Sequence, residues 1–282
     1  MIKQFTLSEI FFTYKRPVIG TFLLLVLENS LMLFTPFLLG LAIDRLIRND
    51  FSGAVWLGII YFAAIVVGML RRLYDTRVYS KIYAELATHT VDIHHEKDAP
   101  QSTIVARANL MQELIQFFEQ ELTTGFSLVI KVMGAVLMLF YFKWQLGVAC
   151  LIAMFFVWII YYISRSNIFS LNSGLNDELE KQVDIIATKD SNGVAGHFDR
   201  LARWWIKLSD LESINFSFLG LVLLVLIIFS LFVTVEKGMT SGSIFAVLAY
   251  VLEFSEGIYL LPVIYQQFVR LEEISERLNS VK

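Results

Sequence analysis

Charge is what this sequence has least of. Only 17% of its 282 residues are Asp, Glu, Lys or Arg, while 56% are apolar and 14% aromatic. Soluble domains carry roughly a quarter charged residues, so a chain this apolar, with a mean hydropathy of +0.63, does not read as one. A surplus of positive charge is missing too: the net charge of −3 offers no basic patch for nucleic acid. Cys150 is the single cysteine, which excludes an internal disulfide framework. Inside an apolar helix it reads as a small hydrophobe. No small-residue cleavage pattern follows a short apolar run, so no removable signal peptide is expected. The phosphate-cradling loop G-x-x-x-x-G-K-[ST] occurs nowhere. Its nearest approach, "GVAGHF" from Gly193 to Phe198, has neither lysine nor hydroxyl after the second glycine. Nor does a nucleophile–base arrangement stand out. The chain is expected to be no enzyme and to carry no cofactor.

Long apolar runs are what it does have. A helix needs about 20 apolar residues to cross a hydrocarbon core of roughly 30 Å. Stretches near 17–43, 54–74, 126–142, 146–164, 216–235 and 243–266 meet that requirement. Before them, "FTLSEIFFTYKRP" sets Leu7, Ile10, Phe11 and Tyr14 on one helical face, predicting a short interfacial elbow helix over 1–16. Lys15, Arg16, Arg71, Arg72, Arg165, Lys207 and Arg270 gather at one set of span ends. The other set has Arg45, Arg48, Lys143 and Lys237. By the positive-inside bias both termini are expected in the cytoplasm.

Two connections, near 71–125 and 165–215, are long but are not linkers. "IVARANLMQELIQFFEQEL" repeats Ile104, Leu110, Leu114, Ile115, Phe118 and Leu122 at helical spacing. "LARWWIKLSDLESINF" does the same with Leu201, Trp204, Leu208 and Leu211. Breaks fall at "KDAPQS" and "KDSNGVAG". The expected fold is therefore all-α: a single transmembrane domain over 1–282, with six spans and two helical hairpins extending into the cytoplasm. No nucleotide-binding domain is expected.

This pattern resembles the transmembrane region of ABC exporters. "TPFLLGLAIDRLI" (Thr35 to Ile47) is similar to that family's signature at the outer end of the first helix. "FYFKWQLGVACL" resembles its aromatic–Trp–Gln–Leu turn between the third and fourth helices, and "RLEEISERL" the segment leaving the sixth. The resemblance implies a helix-swapped homodimer in the lipid bilayer, in which the fourth and fifth helices reach across to the partner. It also implies coupling helices at the two hairpin breaks, around Pro100 and Asn192, that would dock a separate ATPase subunit. A multi-pass protein of the bacterial cytoplasmic (inner) membrane is the matching expectation. Lys282 falls where an exporter's ATPase domain would begin.

Four charges interrupt the spans: Glu28 in the first, Lys131 in the third, and Glu253 and Glu256 in the sixth. Each costs about 2.5–3.5 kcal/mol at the bilayer centre, so such residues usually face an interior. The resemblance places the first and sixth helices along a central cavity. Two readings stand side by side. The carboxylates exchange a proton or bind a cation as part of transport, or they are static, held by Lys131 or by hydrogen bonds to Asn29, Ser30 or Ser255. "THTVDIHHEKD" sets His89, Asp92, His95 and Glu96 at a spacing that would chelate a metal, but a solvated helix has the same pattern and no metal is expected. Together these point to a transporter or channel that moves a solute or ion down an electrochemical gradient, or coupled to one, through a central dimer cavity. A permease subunit with a separately encoded ATPase, and a non-transporting scaffold or regulator, are the alternatives.

Overall fold

A computed structural model describes residues 12–96, 100–188, 190–236 and 238–279. Among them every regular element is helical: α1 (Lys15–Leu33), α2 (Thr35–Leu46), α3 (Ser52–Glu96), α4 (Gln101–Gln116), a π-helical turn (Phe117–Glu121), α5 (Leu122–Phe142), α6 (Trp144–Glu180), α7 (Gln182–Ala187), α8 (Ser191–Glu236) and α9 (Ser241–Asn279). Six stretches are long and apolar enough to cross a membrane: Lys15–Leu46, Ser52–Ile93, Arg107–Phe142, Trp144–Ala187, Ser191–Val235 and Ser241–Pro262. At 1.5 Å per residue, the 45 residues of α3 span about 67 Å and the 46 of α8 about 69 Å. Both are roughly twice a hydrocarbon core. Each must therefore leave the bilayer and continue as a helix beyond it. The elbow helix expected over 1–16 falls largely on residues 1–11, outside the described residues.

The chain divides into two units. The first comprises Met1–Phe142 and Thr234–Lys282. Its first span is bent. Pro36 has no N–H to give the preceding turn, and the helix is interrupted at Phe34. Tyr250 on α9 donates its hydroxyl to the Leu33 carbonyl at 2.7 Å, so a neighbouring helix supplies a hydrogen bond beside the break. Val18, Thr21, Leu25 and Asn29 form the buried stripe of α1, three and four residues apart. The opposite face, with Ile19, Leu23, Val26 and Leu27, is exposed, as a lipid-facing surface is.

At the short-loop end, α2 and α9 cross almost backbone to backbone. A β-carbon on Gly40 or Gly242 would run into the other's carbonyl oxygen, so both positions need glycine. One turn further on, Asp44 caps the start of α9. It accepts the Gly242 N–H at 2.8 Å and the Thr240 hydroxyl at 2.5 Å. The motif running from Thr35 to Ile47 thus encodes a bend, a close crossing and a cap.

At the opposite end α3 turns back through α4. Tyr79, Ile82 and Leu86 of α3 pack on Met111, Leu114 and Ile115 of α4, and on Phe117 and Phe118 of the π-helical turn. Tyr14 donates to Glu85 at 2.8 Å, tying the start of α1 to this hairpin.

The second unit, Lys143–Val233, is an antiparallel hairpin of α6 and α8. Leu146, Cys150, Ala153 and Val157 make the buried stripe of α6. Ser164 and Asn215 share a buried hydrogen bond of 2.7 Å. Farther along, Glu178 accepts from Arg200 at 2.7 Å and lies 2.8 Å from His197 Nδ1, clasping the two helices near the tip. The break expected at "KDSNGVAG" is shorter than its glycines suggested. Asp190 accepts the N–H groups of Asn192 (3.2 Å) and Gly193 (3.0 Å), and so starts α8 at Ser191 and takes the glycines into the helix.

Candidate functional site

A cleft of about 350 Å³ opens inside the first unit, lined by Glu28, Asn29, Met32, Thr35, Arg71, Ser127, Lys131 and Glu253. Four spanning helices build it: α1 with the start of α2, α3, α5 and α9. Each brings at least one polar side chain to a wall that the apolar runs around it would otherwise leave dry.

Its floor is an ion network. Arg71 on α3 gives its Nε to Glu28 of α1 at 2.5 Å and an Nη to Asp75, one turn on, at 2.8 Å. Asp75 is buried, with an exposure of 4%, and Arg71 and Glu28 are partly buried at 15% and 14%. Gly68, one turn before Arg71, leaves the room for this pair. A β-carbon there would come within 2.5 Å of Glu28 Oε1. Glu28 lies 18 residues from the end of α2 and Arg71 19 from the start of α3, so each is about 28 Å from the short loop between them. That is close to a full hydrocarbon thickness.

Above the floor, Asn29 spends both amide hydrogens on protein, to the Leu25 carbonyl (2.9 Å) and to Ser127 Oγ (3.0 Å). Lys131 and Glu253 line the cleft from α5 and α9. Among the described residues no ion pair joins Lys131 or Glu253 to any other side chain. Ser255, a candidate partner for the glutamates, instead donates to the Val251 carbonyl of its own helix at 2.8 Å. Glu253 is half-buried.

The structure therefore brings Glu28, Lys131 and Glu253 around one cleft and leaves Glu256 outside its lining, exposed. Three residues advance a helix by about 300°, so Glu256 points roughly 60° away from Glu253. Pro100 and Asn192 are exposed at the starts of α4 and α8, each at a hairpin turn. Among the described residues no group of three His, Cys, Asp or Glu side chains comes together as a metal site. Arg71 and Asp75 are the residues that the sequence hid. Arg71 reads as one of the positive charges that end the second span, and its spacing of four from Asp75 is the single local signal that it has a partner.

Six spanning helices, long helical extensions and a charged cleft between the spans define a polytopic membrane protein of the transport kind. The family model for the ABC transporter transmembrane region matches residues 7–242. The chain belongs to that family. No curated protein matches it.

Proposed function

We propose that two copies of this chain enclose a central pathway through the bilayer, and that the cleft is where a polar solute sits during passage. The observation that carries this reading is the convergence of Glu28, Arg71, Lys131 and Glu253 from four helices on one space inside membrane-spanning segments. Charge inside a bilayer is costly and is found at solute and ion routes. A charge set that served only stability would be closed up by packing. Here Glu28 and Arg71 are closed on each other, while Lys131 and Glu253 face open space. Glu253 exchanges a proton between its acid and carboxylate forms, and in this reading that exchange couples solute movement to an electrochemical gradient. Glu256, one turn away, sits at the margin of the same route. The chain itself hydrolyses no nucleotide, since it has no phosphate-cradling loop. The bias of Lys and Arg puts both termini and both hairpins in the cytoplasm, in keeping with a bacterial inner membrane.

Purified protein reconstituted in liposomes, supplied with a pool of small metabolites and an imposed pH gradient, should concentrate at least one solute by mass spectrometry. Protein-free liposomes should not. Absence of any gradient-dependent uptake would remove the gradient-coupled reading.

A second reading is favoured by the hairpin turns. Pro100 and Asn192 are exposed, and Asp190 fixes the backbone at Asn192 and Gly193. Such preformed, exposed turns suit docking of a separate ATPase subunit. If that subunit exists, it should co-purify from native membranes, and changes at Pro100 or Asn192 should weaken the association. Recovery of the dimer with no ATPase would count against it.

A further inference from the structure

The charges that the cleft leaves unpaired are one of each sign. Arg71 is spent on Glu28 and Asp75. Asn29 is spent on Leu25 and Ser127. What remains is the ammonium of Lys131 on α5 and the carboxyl of Glu253 on α9, both lining the same space of about 350 Å³. That volume lies within the range of roughly 300–1,000 Å³ typical of small-molecule sites. We infer that the cleft binds a small zwitterion, its ammonium held by Glu253 and its carboxylate by Lys131. The inference rests on the transport reading above only in using the same cleft, and it names the class of solute.

The alternatives match the wall less well. A simple cation would find Glu253 but would be held within the field of Lys131, which acts on Glu253 across the cleft without a direct ion pair. A simple anion would meet the reverse. An uncharged solute would leave both charges without a direct partner, with their mutual attraction across the cleft as the return. A ligand carrying both charges satisfies both ends and adds no net charge to the bilayer interior. The remaining wall suits such a molecule. Ser127 accepts from Asn29 and keeps its own hydroxyl hydrogen to donate. Thr35, at the start of α2, adds a further polar residue to the lining. Met32 supplies adaptable apolar surface for a short side chain or methylene run.

Binding to the purified protein, by calorimetry in lipid discs, tests this without any transport step. The probes are leucine and 6-aminohexanoate, which differ in the distance between their charges, with the N-acetyl and amide derivatives of each. At least one parent zwitterion should bind at about 1 mM or tighter. Its N-acetyl and its amide should each bind about ten- to a hundredfold more weakly, because each loses one charge-assisted contact. The variants should exchange these preferences. Glu253→Gln should no longer distinguish parent from N-acetyl, and Lys131→Met should no longer distinguish parent from amide. Absence of binding by both parents, or equal binding of parent and derivatives to the unaltered protein, overturns the inference whether or not the variants fold. The two readings fail separately. Transport of some other solute without zwitterion binding removes this one alone. Zwitterion binding without gradient-dependent transport removes the other.

Discussion

Replacing Arg71 by methionine removes a charge that two carboxylates share. Glu28 and Asp75, 14% and 4% exposed, would be left without their cation. Breaking a buried pair in this way costs about 3–5 kcal/mol, because the surviving charge stays buried and uncompensated. Here two survive, and the upper part of that range applies. Thr21 and Tyr79 lie near Asp75, but among the described residues neither hydroxyl is hydrogen-bonded to it. Among the described residues the hydrogen-bond partner of Glu28 is Arg71, and the space that Gly68 leaves is shaped to its carboxylate. Chemical unfolding of the protein in mild detergent, followed by tryptophan emission, should show the Arg71→Met variant less stable by about 4 kcal/mol. The decisive comparison is the triple variant that also carries Glu28→Gln and Asp75→Asn. It removes all three charges together and should regain most of the lost stability. If Arg71→Met were as stable as the unaltered protein, the network would not hold α1 to α3. If the triple variant were no better than the single one, the loss would come from packing and not from orphaned charge.

Two further outcomes follow from the short-loop end. Asp44→Ala removes the cap on α9 and should cost about 1 kcal/mol, with faster amide exchange at Gly242; Asp44→Asn should keep most of it, and unchanged exchange in the alanine variant would count against the cap. Gly242→Ala forces a methyl into the backbone crossing with α2 and should cost about 1–3 kcal/mol, read from the same unfolding curves, whereas Gly58→Ala, whose β-carbon would meet nothing, should be neutral.

What could be read from the sequence was what depends on local pattern. Six apolar runs are visible because each is longer than a soluble helix needs. The hairpin core was visible because Leu114, Ile115 and Phe118 recur at helical spacing, and all three are buried. The start of α8 was less so, because a run of Gly193 and Gly196 suggests a break and the cap that overrides it comes from the single side chain of Asp190. The cleft was only partly visible. Glu28, Lys131 and Glu253 stand out as charges among hydrocarbon, but pairing between helices depends on rotation and register. Arg71 sits next to Arg72 at the end of an apolar run, where charge is ordinary. Nothing nearby in the chain shows that one of the two turns inward to meet Glu28, 43 residues earlier, while the other is exposed. Glu253 and Glu256 raise the same problem, since three residues along a helix are close to one face but not on one line.

Glu253 is the residue on which the account turns. Glutamine there keeps the shape and the hydrogen bonding of the protonated acid but cannot release a proton. Wild-type protein and the Glu253→Gln variant, reconstituted at equal protein content and given the same metabolite pool and pH gradient, allow a direct comparison of accumulation ratios. The account predicts that the wild type concentrates its solute above equality, while the variant brings it only to equality, with the same final level whether or not the gradient is present. Equal, gradient-driven accumulation by both proteins would contradict it.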